Sequence, residues 1–398
     1  MIRFTHCSSP SHSDQVEDSD PSSNSSSLSS QPSLPSVPSL TDLPPSTATH
    51  HHCLATLKGH SSSIFSLSLA GKHLYSGVSD GQIRVWDRNP SSYTDNGAVS
   101  ESRSAVKSIV VSGDKLFTAH SDNKIRVWKI DNYSGDGRRC TAVAVLPTVS
   151  DRCMSLFSAK NYVKVRRHKR CTWVHHVDAV AALAATSDGA LLYSVSWDRS
   201  FKIWRSSDFR CVESVQNAHD DAINAVVLSA DGHVYTGSAD RRIKVWRING
   251  GDQKHSLVST LEKHKSAVNA LALSGDGSVL YSGACDRSII VWERDGGAAH
   301  MAVAGALRGH TKAILCLAVV GEVLCSGSAD RTVRVWRRGI GNSYSCLAVL
   351  EGHRNPVKSL TAGFDTNHAG DSDNSYLVYS GSLDFEIKVW KIRVPLIT

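Results

Sequence analysis

The chain has 398 residues, 41% of them hydrophobic and 20% charged, with a formal net charge of +7. That apolar share excludes a wholly disordered chain, and no run of about 18 apolar residues is present to cross a membrane. The ten cysteines form no Cys-x-x-Cys pair and no apolar stretch near Met1 directs export, so they read as reduced structural thiols of a cytoplasmic or nuclear protein.

The first 52 residues differ from the rest. They carry Asp14, Glu17, Asp18, Asp20 and Asp42 against Arg3, a net of −4 that leaves +11 for residues 53–398. Seven of the eleven prolines precede residue 46, and serine dominates residues 8–39. Such a composition cannot offset its ordering entropy by burial, so residues 1–52 are expected to be a disordered tail. Serines beside Asp and Glu, and Ser9 before Pro10, make it a candidate for phosphorylation. The run His50, His51 and His52 is expected to be solvated, and no metal or cofactor is expected anywhere.

Beyond residue 52 the chain repeats itself. An Asp followed six residues later by a Trp occurs seven times: Asp80 and Trp86, Asp122 and Trp128, Asp198 and Trp204, Asp240 and Trp246, Asp286 and Trp292, Asp330 and Trp336, Asp384 and Trp390. Four residues before each Asp stands a hydroxyl: Ser76, Thr118, Ser194, Thr236, Ser282, Ser326 and Ser380. Further upstream stands a histidine in six copies, namely His60, His176, His219, His264, His310 and His353, while Ser102 takes its place in the second. Between these marks, short β-rich runs of period two flank turns such as Asp231-Gly232. Each unit, roughly 44 residues long, predicts a four-stranded antiparallel sheet whose two apolar faces need neighbours, which radial stacking supplies.

The motif Gly-His … Ser-x-x-x-Asp-x-x-x-x-x-Trp resembles the WD40 repeat, and it covers residues 53–398. The resemblance implies an all-β, seven-bladed propeller with repeats near 58–86, 102–128, 174–204, 217–246, 262–292, 308–336 and 351–390. It also implies that His, Ser or Thr, Asp and Trp are hydrogen-bonded from turn to strand, so the second blade, with Ser102, is expected to be incomplete. Residues 53–60 (Cys-Leu-Ala-Thr-Leu-Lys-Gly-His) match residues 346–353 (Cys-Leu-Ala-Val-Leu-Glu-Gly-His), so residues 53–57 should be the outer strand of the last blade.

An insertion at about 147–172 concentrates positive charge in Lys164, Arg166, Arg167, Lys169 and Arg170. Val163 and Val165 alternate with Lys164 and Arg166 as on a half-buried hairpin strand. Its motif, residues 161–169 (Asn-Tyr-Val-Lys-Val-Arg-Arg-His-Lys), resembles the plant JINGUBANG-like group of WD40 proteins, which implies a non-enzymatic regulator acting through partners.

No phosphate loop, zincin helix or nucleophile elbow occurs, and the recurring Ser, His and Asp read as framework, so no catalytic residues are assigned. The family resemblance places partner contacts at the narrow top face, giving Phe65, Lys107, Asn224, Asn269, Leu315 and Lys358 near the start of the inner strands, and Trp197, Cys285 and Leu383 before the Asp. A Trp outside the framework makes Trp197 the sharpest of these. The expected function is a scaffold or regulatory adaptor in a plant signalling or transcriptional pathway, monomeric on its own and binding one or more proteins. The alternatives are a substrate receptor of a ubiquitin ligase, or nucleic-acid or anionic-lipid binding through the basic insertion. The first is weakened because residues 86–89 (Trp-Asp-Arg-Asn) lack the final base of the relevant motif.

Overall fold

The computed structural model describes residues 37–42, 49–88, 95–131, 140–156, 162–166, 169–250, 254–294, 301–339, 343–365 and 374–394. Seven four-stranded antiparallel blades are built from short runs rich in Val, Ile and Leu, with every hairpin strand pairing its sequence neighbour. The inner strands are Ile64–Ala70, Val106–Ser112, Val180–Ala185, Ile223–Leu228, Val268–Leu273, Ile314–Val320 and Val357–Phe364. Each packs beside the next, and Val357–Phe364 packs beside Ile64–Ala70, which closes a ring of seven.

The seventh blade draws its outer strand, His50–Leu57, from the start of the chain. Leu57 pairs with Ile387, Cys53 with Trp390 and His50 with Arg393. The boundary drawn at residue 53 therefore moves: His50, His51 and His52 belong to the propeller, because their backbones complete a ladder. The disordered tail needs a second correction. Val37 is buried, and residues 37–42 pair with the rims of two blades, because two apolar side chains within the Ser/Pro-rich stretch find a cleft to fill. Residues 1–36 and 43–48 lie outside the described residues.

Both faces of each blade are apolar because both are covered. Between blades six and seven, Cys325, Val333 and Val335 meet Val357, Tyr376 and Trp390 in one cluster. Trp86, Trp204 and Trp336 are fully buried. Each indole removes about 200 Å² from water, roughly 5 kcal/mol of gross stabilisation.

The hydroxyl four residues before each Asp is the hub of the framework. In blade four the Trp246 indole donates to Thr236 Oγ1 at 2.9 Å, His219 Nε2 lies 2.8 Å from the same oxygen, and His219 Nδ1 lies 2.8 Å from Asp240. The carboxylate holds the imidazole proton on Nδ1, so Nε2 accepts from the hydroxyl. The same linkage joins His176, Ser194, Asp198 and Trp204; His264, Ser282, Asp286 and Trp292; His310, Ser326, Asp330 and Trp336; and His353, Ser380, Asp384 and Trp390. In blade one, Ser76 binds His60 and Trp86, while Asp80 accepts from Ser61.

Blade two lacks the link from histidine to Asp, as expected, but draws a histidine from elsewhere. His120, fully buried on the same strand as Thr118, places Nε2 2.8 Å from Thr118 Oγ1, which also accepts from Trp128 at 3.0 Å. His120 Nδ1 faces the Ser104 carbonyl at 3.0 Å. Asp122, released from histidine, takes both amino groups of Arg126 at 3.1 and 2.7 Å.

The insertion after Cys140–Leu146 forms a short helix, Val149–Leu156, and a two-stranded hairpin, Tyr162–Arg166 with Lys169–Thr172. Lys164, Arg166, Lys169 and Arg170 lie on its strands, whereas Arg167 and part of the 161–169 motif lie outside the described residues. Residues 366–373 of the last blade also lie outside them.

Candidate interaction site

Each inner strand carries one irregularity, at the same place. The ladder shifts between Ile64 and Ser66, Val106 and Ser108, Val180 and Ala182, Ile223 and Ala225, Val268 and Ala270, Ile314 and Cys316, and Val357 and Ser359. The seven residues left out of register are Phe65, Lys107, Ala181, Asn224, Asn269, Leu315 and Lys358. A bulge re-aims a side chain that the pleat would otherwise commit to a sheet face. The Asp turns share that end of the ring: the residue before each Asp donates its N–H to the carbonyl just before the inner strand, as Trp197 does to Ala179 at 3.1 Å and Leu383 to Pro356 at 3.0 Å.

The residue after each Asp is left-handed in all seven turns, at φ 93° for Gly81, 67° for Asn123, 68° for Arg199, 72° for Arg241, 69° for Arg287, 75° for Arg331 and 72° for Phe385. Outside blade two the carboxylate offsets that strain by accepting the N–H two residues on, for example Ser200 to Asp198 at 2.9 Å. Spacing along the chain does not single these positions out. They present exposed Arg199, Arg241 and Arg331 on blades three, four and six, and exposed Phe385 on blade seven.

Phe65, Lys107 and Trp197, named separately from their positions, converge. The Lys107 ammonium lies 4.8 Å from the centroid of the Phe65 ring and 4.8 Å from that of Trp197. Trp197 is 40% exposed, so one face of this stack is open to a partner. Its indole donates to Asn224 Oδ1 at 3.2 Å. Burial, then the charge of Lys358, lowers Lys107 to about 8. Burial also lowers the basicity of Lys358. The neighbouring Cys316 thiol, pushed up to about 12 by its own burial, stays neutral and is no counter-ion. Among the described residues no carboxylate pairs with either lysine.

Asn224 and Asn269 serve the ring as well as its mouth. Asn224 donates to the Val268 carbonyl at 2.9 Å and Asn269 to the Ile314 carbonyl at 2.8 Å, each tying one inner strand to the next. Leu315 and Leu383 are half-buried. Two basic residues that stand two before a framework Trp point inward: Lys202 is fully buried and donates to the Trp173 carbonyl at 2.6 Å, and Lys244 to that of Ala218 at 2.7 Å.

The family model for the WD domain, G-beta repeat matches residues 51–87, 168–205, 209–247, 255–293, 302–337 and 344–391. The chain is a WD40 repeat protein. Blade two, where the histidine has changed position, falls between the first two matches of this WD40 model. Among curated relatives, the chain is 31% identical over 111 residues to Autophagy-related protein 16 of Arabidopsis thaliana, covering 27% of this chain and 21% of that one. It is 26% identical over 102 residues to Small ribosomal subunit protein RACK1 of Drosophila melanogaster, covering 25% and 30%. It is 28% identical over 123 residues to Pre-mRNA-splicing factor cwf17 of Schizosaccharomyces pombe, covering 30% and 33%. The chain thus spans about a fifth to a third of the length of these relatives.

Proposed function

We propose that this WD40 protein is a non-enzymatic interaction scaffold that docks an acidic segment of a partner protein at the mouth formed by Phe65, Lys107, Trp197 and Lys358. The observation that carries this reading is Lys107 held between two aromatic rings, beside a second lysine, with no carboxylate among the described residues to balance either. A partner carboxylate or phosphate supplies the missing charge, and the exposed Trp197 face supplies apolar contact. The relatives are named for autophagy, the ribosome and splicing, three different machineries, which favours an adaptor role. We assign the chain to a plant signalling or transcriptional pathway, in the cytoplasm or nucleus, on the 161–169 motif that resembles the JINGUBANG-like group.

The test is affinity capture from the native cell with the full chain, its Trp197→Ala variant and its Lys358→Glu variant. Loss of the same partners from both variants supports this face; unchanged capture rejects it. A second reading, anionic-lipid or nucleic-acid binding, rests on the basic hairpin. It predicts steep salt dependence that disappears when Arg166 and Arg170 are changed to Glu.

A further inference from the structure

Residues 37–42 (Val-Pro-Ser-Leu-Thr-Asp) cross the outer rim of blade five as an extended strap. Pro38 O accepts from the Ala306 N–H at 2.9 Å, and the Leu40 N–H donates to Ala306 O at 3.0 Å. Leu40 O then accepts from the Tyr344 N–H at 2.9 Å, and Thr41–Asp42 continue as a parallel fifth strand on blade six, beside Tyr344 and Ser345. Arg308 Nη2 donates to Val37 O at 2.8 Å. The two apolar side chains of the strap go to opposite sides of the blade-five outer strand, Met301–Leu307. Val37, 3% exposed, joins the core between blades four and five. Leu40 joins the core between blades five and six.

The cleft is shaped for Leu40. A Cβ at Gly305 would overlap the Leu40 side chain, so glycine leaves the space. Gly305 pairs with Val291, the residue before the framework Trp292. The residues that pair at that place in blades two, three, four, six and seven are Ala144, Glu213, Ser259, Ala348 and Ala55, each of which carries a Cβ. Among these six blades the space is particular to blade five.

The geometry points to a lateral peptide-binding site on the rim of blade five, which reads an extended segment with aliphatic side chains three residues apart and is filled in cis by residues 37–42 as an exchangeable occupant. Exchange follows from how little holds the strap. Two apolar anchors and a few backbone hydrogen bonds work against the ordering of six residues, two of which, Pro38 and Ser39, remain exposed. Parallel pairing to a free outer edge needs no rearrangement of the ring, so the cleft is competent whether filled or empty.

A specific protease site introduced between Asp42 and Thr49 of the full chain lets the strap be cut free after folding. A labelled synthetic peptide of residues 34–44 is then added to the cut and uncut chains. The expected result is saturable binding to the cut chain, at least tenfold weaker binding to the uncut chain, and no binding of the peptide carrying Leu40→Asp. Equal binding to both chains, a strap retained against excess peptide, or an emptied cleft that takes no peptide overturns the proposal. A strap that fills the cleft of a second copy would give a dimer by light scattering, and that result overturns the assignment in cis. Amide exchange checks the site without cutting. In the full chain carrying Val37→Asp and Leu40→Asp, the Ala306 and Tyr344 amides should exchange at least tenfold faster, with the Trp292 strand unchanged; unaltered exchange at both amides counts against the site.

Discussion

The imidazole Nε2 of His120 lies 2.8 Å from the hydroxyl oxygen of Thr118, two residues earlier on the same strand. The other six blades bring their histidine from the loop before the inner strand, yet the hub oxygen receives an equivalent partner. Burial, then the charge of Arg126, lowers His120 to about 4. An unfolded histidine titrates near 6.5, so in acid the unfolded chain takes up a proton that the folded one refuses. The stability contributed by the neutral ring is complete above about pH 6.5 and is lost as pH falls towards 4, on the order of 3 kcal/mol. Urea melts from pH 7 to pH 4 should show this slope in the native chain and a flatter one in His120→Gln.

The hub itself is the costly place to damage. Thr236→Val keeps the shape and removes the oxygen, stranding the Trp246 indole N–H and His219 Nε2 in the core. Each buried group left without a partner costs about 1–3 kcal/mol, so a loss of roughly 2–5 kcal/mol is expected, with Thr236→Ser close to native. Chemical denaturation of the three proteins checks it.

The framework aspartates act over a lower pH range than His120. Burial alone would raise the Asp286 carboxyl, but the hydrogen bond and charge of His264 outweigh it and hold Asp286 at about 2. A carboxylate with a depressed folded value contributes stability that is present above about pH 4 and is lost as pH falls towards 2. Asp286→Asn should therefore be less stable than the native chain at pH 7 and differ less from it at pH 2.5, as read by thermal melts.

Lys107, at about 8, gives the interaction face a pH signature. An acidic partner binds the charged ammonium, so affinity should be level below about pH 7 and fall up to about tenfold per pH unit above 8. Lys107→Arg keeps its charge throughout and should abolish the step. Titration calorimetry at pH 7 and pH 9, with the partner captured as described above, makes the measurement.

Asp365 and Lys391 form an ion pair of 2.8 Å with side chains only 3% and 8% exposed. Asp365→Asn leaves the ammonium buried without its charge partner, at a cost of about 3–5 kcal/mol. A lowered thermal midpoint, partly recovered when Lys391→Met is added, is the expected outcome.

Much of the ring was legible because its marks sit at fixed distances along the chain. Asp and Trp six apart, with a hydroxyl four before, place a turn and a strand that no other arrangement satisfies so economically. His120 escaped because an equivalent hydrogen bond was reached from a different backbone position, and spacing does not register equivalence of contact. The 37–42 strap escaped because composition averages over the tail, whereas docking depends on two side chains and on one glycine 265 residues further along the chain, at position 305. Phe65, Lys107 and Trp197 were each legible from their places in the repeat. Their stacking was not, since it depends on how three neighbouring blades are set around the axis.

The seventh blade has a consequence for how the protein is made. Thr56 receives a hydrogen bond from Lys388, a residue 332 positions later. The outer strand of the seventh blade must therefore wait, unpaired, for a partner made 332 residues later. Until then the remaining blades stand as an open arc with an apolar face uncovered at each end, a state in which chaperones have the most to shield.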